Sequence, residues 1–565
     1  MRDPGVETAR DLWAGVGNLV SLQARLPRPE RVPRGGPLPL SPAQERLWYL
    51  CRFDPGTAYY NVPLAWRLRG PLDRAALERS LAAMAERHEI LRTGFPEREG
   101  APVAAIHPPF RVELEGGDPG VFVRRPFDLE RGPLWRAGLF EESPDGPLLA
   151  CVFHQIVFDG ASMRIWTREM AEFYRAFAAG AGPNLPEMRL QYADFADWKR
   201  RVAQGEVLEA HRAYWREKMR APYQPLALPS DRPCGAADIG PGARVPCAVP
   251  GATAARLTRA AAQGKTTLFA AFMTALKMYL HSLTGQRDLM VFASAADRGD
   301  PALAGIIGLL ANVLPVRTDL GGARTFRECL ERVSESCVDA MAWQGLPLAA
   351  IMEHLPPGPA RPYQVMLIYH GAPLPAAEAA GLRFDPSHEL DHGCALFDLL
   401  FELTNTRDEI RGHIMYRADT FEEATVRRLW AGFLELLDAA ASDPERLAVT
   451  APPAPQAQAA RPAAREFVPA RDPLEERLAE WCAESLGVGR LGIRDNFFDL
   501  GGDSLAAVRM LRAVESRTGL SLSPTVLLDA PTVELLAEEL RRRGCTGPLP
   551  SRAGGWRGLR RLFGT

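Results

Sequence analysis

Two places in the 565-residue sequence bring together residue types that can do chemistry. The first is Asp495-Asn496-Phe497-Phe498-Asp499-Leu500-Gly501-Gly502-Asp503-Ser504-Leu505. Its paired glycines let the backbone turn tightly, which leaves the Ser504 hydroxyl exposed at the start of a helical pattern. Ser504 can act there as a helix N-cap. As a hydrolytic nucleophile it would need a histidine base, and none follows His413, so this segment cannot complete a triad alone. As the bearer of a phosphate ester it would set that anion against the free N–H groups and positive end of a helix. The second place is His154-Gln155-Ile156-Val157-Phe158-Asp159-Gly160, directly after an apolar run. An imidazole can exchange a proton near neutral pH. Gln155 can donate and accept hydrogen bonds but cannot take a proton there.

Both places need elements to hold them. Leu148 to Phe153 is almost continuously apolar and reads as a central strand. After it, Trp166, Met170, Phe173 and Phe177 recur at helical spacing and form a buried stripe. Ala65 to Arg69 alternates as a half-buried strand, and Asp73 is a good cap for a helix with Leu77, Leu81 and Met84 on one face. Strands and helices thus alternate from Leu38 to about Asp443. Around Ser504 the pattern is helical only: Asp472-Pro473 opens one helix, with others expected over Ser504 to Arg517 and Pro531 to Arg543. The intervening Ala451 to Ala470 is rich in Ala and Pro, has no hydrophobic period, and reads as an extended linker.

Composition narrows the classes. The chain is 47% apolar and 24% charged, as in soluble globular proteins, and its net charge of −2 lacks the basic footprint of a general nucleic-acid binder. Nine scattered cysteines without a C-x-x-C pair suit buried thiols in a reducing cytoplasm. The longest uncharged apolar stretch, Ala302 to Val316, is too short for a membrane span. Residues 1–37 read as an appendage, either a disordered leader or a docking segment for a partner. The tail 544–565 is basic and reads as a solvated end, a docking helix or a contact for an anionic surface.

The string Asp495 to Leu505 resembles the peptidyl or acyl carrier domains of nonribosomal peptide synthetases, over about residues 472–543. Several strings between 38 and 420 resemble the condensation domains of the same synthetases. They are Leu40-Ser41-Pro42-Ala43-Gln44-Glu45-Arg46-Leu47-Trp48-Tyr49-Leu50, Arg87-His88-Glu89-Ile90-Leu91-Arg92-Thr93, Tyr192 to Trp198, Ile307 to Arg317 and Gln344 to Leu348. The resemblance implies a two-lobed, chloramphenicol-acetyltransferase-like α/β condensation domain, with lobes at 38–215 and 216–445. A linker at 446–471 and an all-α four-helix carrier bundle at 472–543 would follow. It implies covalent 4′-phosphopantetheine on Ser504. It also implies that His154 to Gly160 stands where the family has H-H-x-x-x-D-G, with Gln155 in place of the catalytic second histidine. Asp159 would then shape the loop through an arginine, with Arg92 as first candidate. The Gly160 N–H would approach a thioester oxygen or permit the turn. His154 is expected to be packed within its lobe, while His370, His388, His392 or His413 could approach the cleft from the second lobe.

Three functions follow from this reading. The chain could be a carrier-dependent acyltransferase that forms an amide, a silent carrier-binding platform that recruits a tailoring enzyme, or a free-standing acetyltransferase-like enzyme. No adenylation motif or G-x-S-x-G elbow occurs in the 565 residues. Expected partners are therefore upstream and downstream synthetase carriers and modules, a trans-acting adenylation enzyme and a phosphopantetheinyl transferase. Neither nucleic acid nor a membrane span is expected.

Overall fold

The computed structural model describes residues 27–445 and 467–544. Exceptions are 54–55, 99–100, 142–145, 234–238, 356–362, 407, 487–489, 498–499, 501–509 and scattered positions between 512 and 525.

The first lobe starts with helix α1 (Pro42–Phe53), whose entry is a reciprocal cap. The Ser41 hydroxyl accepts from the Gln44 N–H at 3.2 Å, and the Gln44 side chain accepts from the Ser41 N–H at 3.1 Å. Strand β1 (Asn61–Arg69) leads to α2 (Arg74–Arg87), where Asp73 accepts from the Ala76 N–H at 2.9 Å. Next come β2 (Leu114–Glu115), α3 (Pro119–Arg124), β3 (Trp135–Phe140), β4 (Leu148–His154), α4 (Ser162–Ala178) and α5 (Tyr192–Val202). Strand β4 is apolar throughout because both of its faces are covered. Leu149, Cys151 and Phe153 join a core with Leu77, Leu81, Trp166 and Met170, while Ala150 and Val152 pack with Phe122 and Val123 of α3.

The second lobe contains β5 (Gly240–Val249), α6 (Gly251–Gln263), α7 (Leu268–Thr284), β6 (Asp288–Ala295), β7 (Asn312–Asp319), α8 (Phe326–Ala342) and β8 (Val365–His370). The chain then crosses back. Strands β9 (Ala377–Ala379) and β10 (Leu382–Ser387) extend the first sheet, with β10 antiparallel to β1 from Ala65↔Ser387 to Arg69↔Arg383. The first sheet therefore has the order β9-β10-β1-β4-β3-β2. Returning, the chain forms β11 (Cys394–Ala395), β12 (Leu399–Asn405), β13 (Ile410–Arg417) and α9 (Glu423–Ser442), completing a second sheet of order β7-β6-β8-β12-β13-β5-β11.

This exchange differs from a clean division at residue 216. Leu303, Ile306, Ile307, Leu309 and Leu310 also join the first lobe's core. The appendage differs from a free linker as well, because residues 27–37 lie against the first lobe. Trp198 Nε1 donates to the Pro27 carbonyl at 2.6 Å, and Arg34 pairs with Asp194 at 2.7 Å and Glu89 at 2.9 Å. Residues 1–26, most of the linker and the tail from 545 lie outside the described residues.

The carrier segment is helical. Its described helices are α10 (Pro473–Leu486), α11 (Val526–Asp529) and α12 (Val533–Arg542), with helical Met510, Leu511 and Val514 buried between them. Asp472 caps α10 by accepting from the Leu474 and Glu475 N–H groups at 2.9 and 3.0 Å. Among the described residues no helix is long and apolar enough to cross a membrane.

Candidate active site

Strand β4 ends at His154, and Gln155 to Val157 form a single 3₁₀ turn before Asp159, Gly160 and α4. Gln155 is therefore a turn residue rather than the next residue of the strand. Its N–H donates to the Tyr60 carbonyl at 2.8 Å, and its carbonyl accepts from the Phe158 N–H at 3.2 Å. From α1, Gln44 Nε2 donates to the Ile156 carbonyl at 2.8 Å and fixes the turn from outside. The Gln155 side chain is half-buried, and its amide makes no hydrogen bond to another described residue.

His154 is inside the lobe. Its Nδ1 accepts the Ile156 N–H at 3.1 Å, so Nε2 carries the proton, 3.5 Å from Cys51 Sγ. Burial pushes this imidazole down to about 3, and it remains neutral at physiological pH. With Nδ1 occupied and Nε2 buried, it has no free lone pair to offer a substrate.

Asp159 is 4% exposed and fully engaged. One carboxylate oxygen accepts from Ser162 N–H at 2.8 Å and Ser162 Oγ at 2.7 Å; the other accepts from the Leu310 and Ala311 N–H groups, both at 3.1 Å. Arg298 Nη2 reaches both oxygens, at 3.0 and 3.2 Å. The arginine paired with Asp159 is thus Arg298, which corrects the expectation of Arg92. Arg92 ends a 3₁₀ turn beside the Thr93↔Ile106 ladder, and its guanidinium donates instead to the His107 carbonyl at 2.6 Å. Asp159 ties the motif loop to the 298–311 segment of the second lobe and has no lone pair left for substrate. At Gly160, an added Cβ would meet nothing within 4 Å, and the φ angle is not left-handed. The turn does not require glycine; the missing side chain leaves open space beside the motif.

The second sheet contributes its own polar groups. Phe401 faces Trp430 and Phe433 of α9, so the alternate residues Leu400, Glu402 and Thr404 point away from the helices. Ile368, Glu402 and His413 form one row across β8, β12 and β13. His370 Nε2 lies 3.0 Å from Glu402 Oε1. His388, just past β10, lies tilted at 5.8 Å from His413, and His392 meets Tyr59 edge-on at 5.8 Å. Sequence reading missed Arg298, Gln44 and Glu402. A lone carboxylate within Leu399-Leu400-Phe401-Glu402-Leu403 is a readable signal, whereas nothing near Arg298 marks its partner 139 residues away.

Ser504 lies outside the described residues. Upstream of it, Phe497 is 2% exposed, its N–H donates to the Pro531 carbonyl at 2.7 Å, and Asn496 bridges Thr532.

The condensation domain family model matches residues 35–459. The chain belongs to the condensation domain family. A phosphopantetheine attachment site follows at residues 476–540, so the second unit is a carrier domain for covalent 4′-phosphopantetheine. This makes the chain a condensation–carrier protein of the nonribosomal peptide synthetase type. It is 36% identical over 437 residues to a linear gramicidin synthase polypeptide of Brevibacillus parabrevis, matching 73% of this chain but 6% of that protein. Among solved structures, it resembles the X-domain from teicoplanin biosynthesis, with TM-score 0.67 and 30% identity over 74% of this chain and 98% of that one. The X-domain in complex with OxyB gives TM-score 0.66 and 32% identity over 75% and 97% of the two chains.

Proposed function

We propose that this chain transfers an acyl or peptidyl group from an upstream carrier to an amine nucleophile, forming an amide, with the acceptor carried on Ser504. What supports this reading is the preserved frame of the motif. Asp159 locks the loop to the 298–311 segment, Gly160 leaves its approach open, and the Gln155 amide, without a partner among the described residues, stands on the same turn. Gln155 would orient the acceptor by hydrogen bonding, since it cannot take its proton. Phosphopantetheine on Ser504 supplies the thioester that tethers the substrate. Activation of that substrate falls to an adenylation enzyme in trans, installation of the arm to a phosphopantetheinyl transferase, and the setting is cytoplasmic.

A second reading is supported by the 32% identity to an X-domain that is described in complex with another protein, OxyB. In that reading the domain binds carriers and recruits a tailoring enzyme without turnover. Reconstitution with a loaded donor carrier and an aminoacyl acceptor separates the two. Amide formation by the native chain, reduced in Gln155→Ala, supports transfer; carrier binding without product supports the platform.

A further inference from the structure

The second lobe carries a polar cluster that the motif does not use. Glu402 and His370 lie on the helix-free face of the second sheet, yet their side chains remain 41% and 35% exposed. They line open space rather than core. The cluster is bracketed by contacts to the motif's own surroundings. On one flank, two residues after His370, the Ala372 carbonyl accepts from Arg164, in the first turn of α4 and four residues past Gly160. On the other flank, His392 meets Tyr59, Tyr59 meets Tyr60 at 5.1 Å, and the Tyr60 carbonyl holds the Gln155 N–H. His388 is delivered by the strand that crosses to the first sheet, and its ring touches His413 from there. The cluster therefore sits at the seam of the lobes, between segments that contact the surroundings of the Gln155 turn.

Its electrostatics are those of an anion surrounded by imidazoles. Burial alone would raise the Glu402 carboxyl, but the hydrogen bond from His370 and the proximity of His370, His388 and His413 outweigh it and hold the group below its ordinary range. Burial also pushes His388 and His413 down, with Arg244 adding to both. Asp391 and His392 complete the charged and titratable surroundings. Because ionised Glu402 only accepts, His370 donates Nε2–H to it, which leaves Nδ1 as the free basic atom. A carboxylate on one ring nitrogen orients an imidazole.

We propose that His370, oriented by Glu402, is the proton acceptor for the amine nucleophile, the role for which Gln155 has no chemistry. The proposal rests on the transfer reading above. An aminoacyl acceptor arrives as an ammonium ion, and one N–H proton passes to His370 Nδ1. The freed lone pair forms the C–N bond to the donor thioester carbon. The C–S bond then breaks with its electron pair going to sulfur, which takes the second N–H proton directly or through water. His370 returns its proton to solvent.

The test is single-turnover amide formation by the full chain with loaded donor carrier, comparing an α-ammonium acceptor with an acyl hydrazide acceptor that is already neutral. His370→Ala and His370→Gln are expected to lose about 100-fold or more with the ammonium acceptor and far less with the hydrazide. Glu402→Gln is expected to lose less than His370→Ala with the ammonium acceptor, since it removes only the partner that orients the ring. Unchanged thermal melts would certify the variants' folds. Rates of the His370 variants within threefold of native, equal losses with both nucleophiles, or a larger loss in Glu402→Gln than in His370→Ala would overturn the proposal alone. Absence of turnover by the native chain would overturn the transfer reading and this proposal with it.

Discussion

Arg298→Ala removes the one side chain that spans both carboxylate oxygens of Asp159. The pair is nearly dry, with side-chain exposures of 11% and 2%. Deleting one partner of such a pair leaves an uncompensated buried charge, at a cost of about 3–5 kcal/mol. Asp159 keeps the donors from Ser162, Leu310 and Ala311, which places the expected loss at the lower end, about 3 kcal/mol. Urea denaturation of native protein, Arg298→Ala, Asp159→Asn and the double variant, followed through the condensation-domain transition, reads this loss and a coupling of about 2 kcal/mol. Arg92→Ala loses only its bond to the His107 carbonyl, costs about 1 kcal/mol, and shows no coupling to Asp159. A loss below about 1 kcal/mol for Arg298→Ala, the scale of an exposed pair, would refute the buried clamp. So would coupling of Asp159 to Arg92.

Gly160→Val places its branches in open space, so the melting temperature changes little while single-turnover transfer falls more than about tenfold; a normal rate would show that substrate does not pass this point. His154 takes its proton in the unfolded chain near pH 6.5 but in the folded chain only near pH 3. Stability is therefore lost as pH falls through that window, by about 1.4 kcal/mol per pH unit. His154→Asn, which keeps an acceptor near the Ile156 N–H, is expected to escape about 2 kcal/mol of the loss between pH 6.5 and 5, read from urea midpoints. Ser504→Ala is expected to gain no mass on treatment with a phosphopantetheinyl transferase and coenzyme A, while the native chain gains one arm.

Much of the fold was legible because it rests on local pattern. The apolar run of Leu148 to Phe153, the stripe from Trp166 to Phe177 and the Asp73 and Asp472 caps each reflect a period or a side chain bonding its own neighbours. The parts that resisted reading are long-range. Strand Leu382–Ser387 looks like any edge strand, and nothing within it says that its partner is Ala65 to Arg69 of the other lobe. Arg34 to Asp194 and Arg298 to Asp159 are of the same kind, pairs set by tertiary closure rather than spacing. The site followed that division. His154 to Gly160 and Ser504 were visible as motifs, whereas the arginine that holds Asp159 and the His370–Glu402 pair required the sheets to be assembled.

Transfer by a condensation domain with glutamine in its motif leaves its mark on the domain's own carrier. Intact-mass analysis of the carrier domain, after mixing the chain bearing aminoacyl-phosphopantetheine on Ser504 with an acyl-loaded donor carrier, tests it most directly. With transfer, Ser504 gains the donor acyl mass in the native chain and gains it more slowly in Gln155→Ala. An unchanged carrier mass in the native chain, with the donor carrier still bound and loaded, would contradict it.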